Sequence, residues 1–207
     1  MAAPITHIVL SHKIFKTHFK HHNKKEFFIG TSFPDIRYLG IIDREKTHFT
    51  ITSLPSQTKT SSFMAGIEFH SFVDHIREKY ILQCNTYALC PQSKYITHSL
   101  KILEDLIFYK HINDRKLFCD YFNQILASER NFGIDDKYIK FRHKTLQAYF
   151  AQEPNEESIL GFIENIGLNT EIAHEIYQNV CIIKQNKHII SILNGFYTDF
   201  ENLILQH

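Results

Sequence analysis

A histidine and an aspartate four residues apart, in FHSFVDHIRE (69–78), are the first residues of this 207-residue chain whose spacing suggests chemistry. On a helix, positions i and i+4 stack on one face, so His70 and Asp74 would aim at one point. At about 100° per residue they fall with Phe63, Ile67 and Val73, which points them inward. Glu68, Ser71, His75, Glu78 and Lys79 form a separate polar sector that turns His75 outward. A buried carboxylate without a partner costs on the order of several kcal/mol or shifts its pKa. The pair is therefore either a hydrogen-bonded core contact or a two-ligand metal clamp.

Other polar residues interrupt apolar surroundings. His7 shares a helical face with Leu10, Ser11, Ile14 and His18, and His12 shares the other stripe with Ile8, Phe15 and Phe19. Both faces suit an interior, so the wheel does not choose between the two histidines. Asp35 follows a proline in FPDIR, where a helix N-cap is the plain alternative to a ligand. His48 in EKTHF, taken alone, reads as a surface histidine. In THSLKILEDLIFYKHI (97–112), His98, Ile102, Asp105 and Tyr109 form one stripe. His98 and Asp105 lie about 10 Å apart along the axis, so they would approach different ions rather than clamp one. Separate hydrogen-bond partners are the alternative there.

The elements that must position these residues are helical. Only 7 glycines and 5 prolines occur, and apolar residues recur at three- and four-residue spacing, which predicts an all-α, multi-helix globular domain with a metal site between helices. Helices are expected at about 6–19 with Thr6 as N-cap, 63–82 capped by Ser61 or Ser62, 97–112, 115–127, 135–151, 156–166, 170–184 and 186–205. FFIGTSFPDIRYLGII (27–42), with Gly30, Pro34 and Gly40, reads as a loop joined to a short helix, and 52–62 as a polar surface loop. The length predicts a single domain over 1–207, with a metal-site half at about 1–112 and a helical scaffold or lid at about 113–207.

Composition narrows the function classes. Hydrophobic residues make up 43% and aromatic residues 14%, which excludes a disordered chain. With 23 basic and 22 acidic residues the net charge is +1, which argues against general nucleic-acid binding. Lys13, Lys16, Lys20, Lys24 and Lys25 are a local basic cluster, read as a solvated helix end or as attraction for an anionic surface. Cys84, Cys90, Cys119 and Cys181 lack metal-ligand or framework spacing and read as reduced, mostly buried thiols. The N-terminal apolar run is too short for a signal peptide and none approaches a membrane span, so a cytoplasmic location is expected, with signal-independent export as the alternative.

The segments ITHIVLSHKIF, GTSFPDIRYLG, EKTHF and FMAGIEFHSFVDH occur in that order. The arrangement, over about residues 4–80, resembles the zinc-dependent phospholipase C family. That family includes secreted bacterial phosphatidylcholine-hydrolysing enzymes and the catalytic part of the phospholipase D that releases glycosylphosphatidylinositol anchors. Its pattern is a histidine in the first helix, a G-x-x-x-P-D loop, a TH or SH pair and then HxxxD on a helix. The resemblance implies that His7, Asp35, His48, His70 and Asp74 are metal ligands, and it favours His7 over His12. It also implies a catalytic role for Asp35, in bridging metals or orienting a water.

The secreted enzymes use further histidines, a glutamate and their N-terminal amine to hold three zinc ions. Here the only histidine soon after Asp74 is the outward His75. His98 and Asp105 are therefore the second-metal candidates, the N-terminus of Ala2 is a third, and one to three ions remain open. Imidazoles with carboxylates suit zinc, with manganese or iron as substitutes. Such ions polarise a phosphodiester and acidify a water, so the expected activity is metal-dependent phosphodiester hydrolysis. Phospholipid is the substrate the resemblance implies, and Arg37 is placed either to steady a phosphate oxygen or to form a surface salt bridge. The alternatives are a catalytically inactive helical interaction module of the same fold, or a nucleotide-directed helical metallo-phosphohydrolase. The second ranks lower because no adjacent His–Asp pair occurs.

Overall fold

Short polar side chains set most helix starts by accepting a first-turn backbone N–H. Asn23, Ser61, Asp114, Asn155, Asn169 and Asn186 each do so. The computed structural model describes residues 4–51, 53–55 and 60–206, and among them the chain forms ten α-helices and no strand. These are α1 (Pro4–His18), α2 (Lys24–Ser32), α3 (Ser62–Gln83), α4 (Ile96–Phe108), α5 (Arg115–Tyr121), α6 (Ala127–Arg130), α7 (Asp136–Ala151), α8 (Glu156–Asn165), α9 (Thr170–Ile183) and α10 (Lys187–Leu205). Short 3-10 turns at Pro34–Leu39 and Arg44–Lys46 join α2 to the segment before α3. An apolar core extends from Ile5 in α1 to Ile204 in α10, with a smaller cluster around Ile81, Leu100 and Leu193. None of the helices among the described residues is long and apolar enough to cross a membrane.

The tightest packing joins α2 to α3 through Gly30 and Gly66. A Cβ on either glycine would collide with a facing backbone carbonyl, that of Phe63 or Phe27. Gly30 therefore serves close helix approach, and the short helix expected within 27–42 is the part of α2 that runs to Ser32, with a 3-10 turn following it. Gly40 does end that turn, at φ +70°, where a Cβ would be strained.

Several other expectations are corrected by tertiary demands. Thr6 lies inside the first turn of α1, not at its cap. The helix expected over 115–127 breaks into α5 and α6, because Leu126 N–H turns to Glu129 Oε2 at 2.8 Å. Ser71 leaves the polar face and is buried, accepting from Phe49 N–H and reaching the Ile67 carbonyl. The thiols are free, but Cys84, Cys90 and Cys119 are half-buried and Cys181 is exposed rather than buried. Of the loop expected at 52–62, residues 52 and 56–59 lie outside the described residues, as does Ala2.

Candidate metal centre

Each side chain of the site is carried by a different piece of this frame. His7 comes from the first turn of α1, Asp35 from the 3-10 turn after α2, His48 from the segment after the next turn, and His70 and Asp74 from α3. The residues fall into two overlapping groups able to hold a metal ion, His7–His70–Asp74 and Asp35–His48–His70. Neither group contains His12, which packs edge-on against Phe28 and Phe118. His75 is exposed, as its helical sector predicts.

Hydrogen bonds aim the rings. The α2–α3 contact brings the Thr31 carbonyl, in the last turn of α2, within 2.8 Å of His70 Nδ1. A carbonyl at a helix end has no partner within the helix, so it accepts the Nδ1–H and fixes the ring. That leaves His70 Nε2 as a bare lone pair, buried with no hydrogen-bond partner among the described residues. His48 repeats the device: Nδ1 lies 3.1 Å from Thr47 Oγ1, whose own proton has the Pro34 carbonyl as acceptor at 3.2 Å, and Nε2 is buried and unpartnered.

The carboxylates face these bare nitrogens at distances that hydrogen bonds do not use. Asp35 Oδ2 is 3.8 Å and Asp74 Oδ2 3.7 Å from His70 Nε2, and Asp35 Oδ1 is 4.0 Å from His48 Nε2. Hydrogen-bonded N and O atoms stand at about 2.7–3.2 Å. Ligands about 2.0–2.2 Å from one tetrahedral zinc stand roughly 3.3–3.6 Å from one another. The observed spacing is thus near that of atoms surrounding a small cation. His7 stacks on His70 with ring centroids 3.9 Å apart, and its Nε2 faces Asp74 Oδ1 at 3.5 Å.

Electrostatics hold the ligand protonation state. Burial pushes His70 down to about 3 and His48 down to about 4, so both are neutral donors at physiological pH. Burial opposes the charge of Asp35, but positive neighbours, His70 foremost and Arg142 a lesser one, hold the carboxyl below the usual range. Asp74, half-buried, is likewise held well below that range, chiefly by Lys101 and by His7. Neutral imidazoles beside ionised carboxylates are the states that bind metal without first losing protons.

His98 and Asp105 are not brought together with this cluster. Asp105 is fully buried and accepts from Thr6 N–H at 2.8 Å and Thr6 Oγ1 at 2.9 Å, which caps the start of α1 from outside. Burial raises its carboxyl well above the ordinary range. His98 sits beside Tyr95, and burial and Lys101 push its pKa down to about 4.

Two partners, Lys101 and Arg142, were missed in the sequence. Lys101 Nζ stands 2.7 Å from Asp74 Oδ1. It lies on α4, 27 residues beyond Asp74 in sequence, and only tertiary packing joins them. Arg142 is buried in α7 with all three guanidinium nitrogens unpartnered among the described residues. It interrupts the stripe Ile139, Leu146 and Tyr149, so the wheel that found His70 would have found it. Arg37, whose role the sequence left open, stacks on the Tyr38 ring at 4.0 Å and donates to its hydroxyl.

The site opens on one side. Asp74 is the most exposed of the five, at 23%, and a cleft of about 260 Å³ reaches it between Arg44, His48, Phe49 and Ser71. A larger cleft of about 560 Å³ lies elsewhere, between the segment 122–125 that follows α5, Arg130 of α6 and the outer face of α7. Together these features define an all-α protein with buried histidine–aspartate clusters able to hold a metal ion. Compared with protein families, curated proteins and solved structures, the chain matches none of them.

Proposed function

We propose that this protein is a zinc-dependent phosphodiesterase of phospholipase C type, with Asp35, His48, His70 and Asp74 holding one ion and His7 supporting it. The observation that carries the reading is the pair of buried, unpartnered Nε2 atoms of His48 and His70, each facing a carboxylate at 3.7–4.0 Å. A closed core pair would place those atoms in hydrogen-bond contact, because leaving a buried acceptor unserved costs about 1–3 kcal/mol. The order of motifs over residues 4–80, similar to that of the zinc-dependent phospholipases, supports phosphodiester chemistry and a lipid substrate.

An ion held there supplies Lewis acidity and a water of lowered pKa. The chain's own residues supply the rest. The cleft reaches His48 and Asp74, so a phosphate group enters on that side, with Arg44 at the mouth to attract it. Asp35 is almost wholly buried and does not line the cleft, which favours a holding role over a water-orienting one. Arg37, spread over Tyr38, is held as a fixed positive charge near Asp35 and Asp74.

The test is metal analysis joined to a substrate screen. Purified protein is expected to carry zinc or manganese, to lose it in His70→Ala and Asp74→Ala, and to hydrolyse phosphatidylcholine or a chromogenic phosphodiester. Metal retained at wild-type level in both variants would overturn the assignment. Hydrolysis of nucleotides but not lipids would replace the substrate class and keep the site.

A further inference from the structure

We propose that Lys101 occupies the second cationic position of this centre, so that the site takes one divalent ion and uses the lysine ammonium as its partner charge. The inference rests on the metallo-phosphodiesterase reading above and extends it to ion number and phosphate binding.

The two carboxylates divide their oxygens in different ways. Both oxygens of Asp35 face bare imidazole nitrogens, Oδ1 toward His48 and Oδ2 toward His70. Asp74 is split: Oδ2 faces His70 Nε2 at 3.7 Å, and Oδ1 contacts Lys101 Nζ at 2.7 Å. His7 Nε2 approaches that same Oδ1, at 3.5 Å. Through Oδ2, Asp74 therefore borders the Asp35–His48–His70 group at the shared His70. On its other side, where His7 would contribute to a second cage, an ammonium already stands. Lys101 is only 13% exposed, so its head is held in the site rather than extended into water.

Nothing else on α4 replaces it with metal ligands. Asp105, one turn along, is committed to Thr6 at the start of α1, and His98 belongs to neither metal-competent group. The charge balance agrees. One divalent ion offsets the two carboxylates, and Lys101 on the outer oxygen of Asp74 leaves the centre with a net charge of +1, which suits an arriving anion. A second divalent ion next to Lys101 would meet direct repulsion. A phosphate ester arriving through the cleft meets Asp74 first, and Lys101, which is not among the lining residues, attracts it as a fixed positive charge behind that carboxylate.

The experiment compares wild type, Lys101→Met and Lys101→Arg, each checked for cooperative thermal unfolding. Zinc content is read by elemental analysis after equilibrium dialysis, and inorganic phosphate affinity by titration calorimetry on the zinc-loaded proteins. Wild type is expected to bind a single zinc per chain. Lys101→Met, freed of the nearby positive charge, is expected to bind zinc roughly tenfold more tightly and phosphate at least roughly tenfold more weakly. Lys101→Arg, keeping the charge, should recover most of the phosphate affinity. Two or more zinc ions in wild type, or unchanged phosphate affinity in Lys101→Met, would overturn the role of Lys101 while leaving the metal centre standing. No zinc in wild type would overturn the metal reading and the lysine role together.

Discussion

His143 and His70 are both buried histidines beside a buried carboxylate, yet their outer nitrogens meet different surroundings. His143 directs Nδ1 to the Phe122 carbonyl at 3.1 Å and Nε2 to Glu129 Oε1 at 2.7 Å. Glu129 spends its other oxygen on Leu126 N–H. Arg77 and Glu104 are closed in the same way, with Arg77 Nε 2.9 Å from Glu104 Oε1 and both side chains almost fully buried. His70 is satisfied at Nδ1 alone, and its Nε2 faces two carboxylates across gaps of 3.7 and 3.8 Å. Closed clusters contribute to the fold as they stand. The open one carries a cost that a bound cation would recover, which is why it points to function.

The largest expected effect comes from breaking a closed cluster. Glu104→Gln should cost about 3–5 kcal/mol in urea unfolding, because it strands the Arg77 guanidinium in the interior. The cost should be the same with and without chelator. His70→Ala should behave differently. Zinc at 100 times its Kd should stabilise wild type by about 2.7 kcal/mol, and the variant should gain nothing from zinc at the same concentration. A zinc-dependent gain that survives His70→Ala would place the ion outside the open cluster.

A smaller effect, spread over two pH units, separates the clusters by titration. The folded pKa values of His48 and His70 lie near 4 and 3, below the unfolded value of 6.5. The unfolded chain therefore binds more protons than the folded one between about 4 and 6.5, and stability rises with pH across that window. Metal-free protein should be fully stabilised by these groups above pH 6.5 and lose roughly 2 kcal/mol for each imidazole as the pH falls to about 4.5. Chelator-treated protein with a flat unfolding free energy over that range would mean that the two imidazoles are not buried neutral.

What the sequence made legible follows from what local periodicity can encode. The span of α3, its Ser61 cap and the inward turn of His70 and Asp74 with His75 outward were all readable, because each depends on neighbours within one or two turns. The three helices from α8 to α10 lie within a residue of the predicted spans for the same reason. Gly30 was misread as a loop marker because its function lies in the backbone of another helix. Buried His48, read alone as a surface residue, owes its position to the Thr47 and Pro34 contacts. Lys101 and Arg142 reach the centre from helices late in the chain, and no i, i+4 pattern connects them to Asp74 or Asp35.

The smallest effect expected is also the sharpest contrast, because it sets one buried arginine against another. Arg77 is paired, and Glu104 holds its pKa above the ordinary value in spite of burial. Arg142 is equally buried, but its guanidinium has no hydrogen-bond partner among the described residues, and burial pulls its pKa down to about 10. Its charged neighbour is Asp35, and its flat group lies 5.8 Å from the Phe162 ring. Arg142→Met keeps the apolar stem and removes a charge that burial penalises. The metal-free variant should be as stable as wild type or more stable by about 1 kcal/mol. The same change removes a positive charge beside Asp35, so zinc should bind slightly more tightly than in wild type, while its loss on acidification stays set by His48 and His70, which protonate before Asp35. A loss of several kcal/mol in the chelated variant would make Arg142 another closed structural group, like Arg77, and would take it out of the electrostatics of the centre.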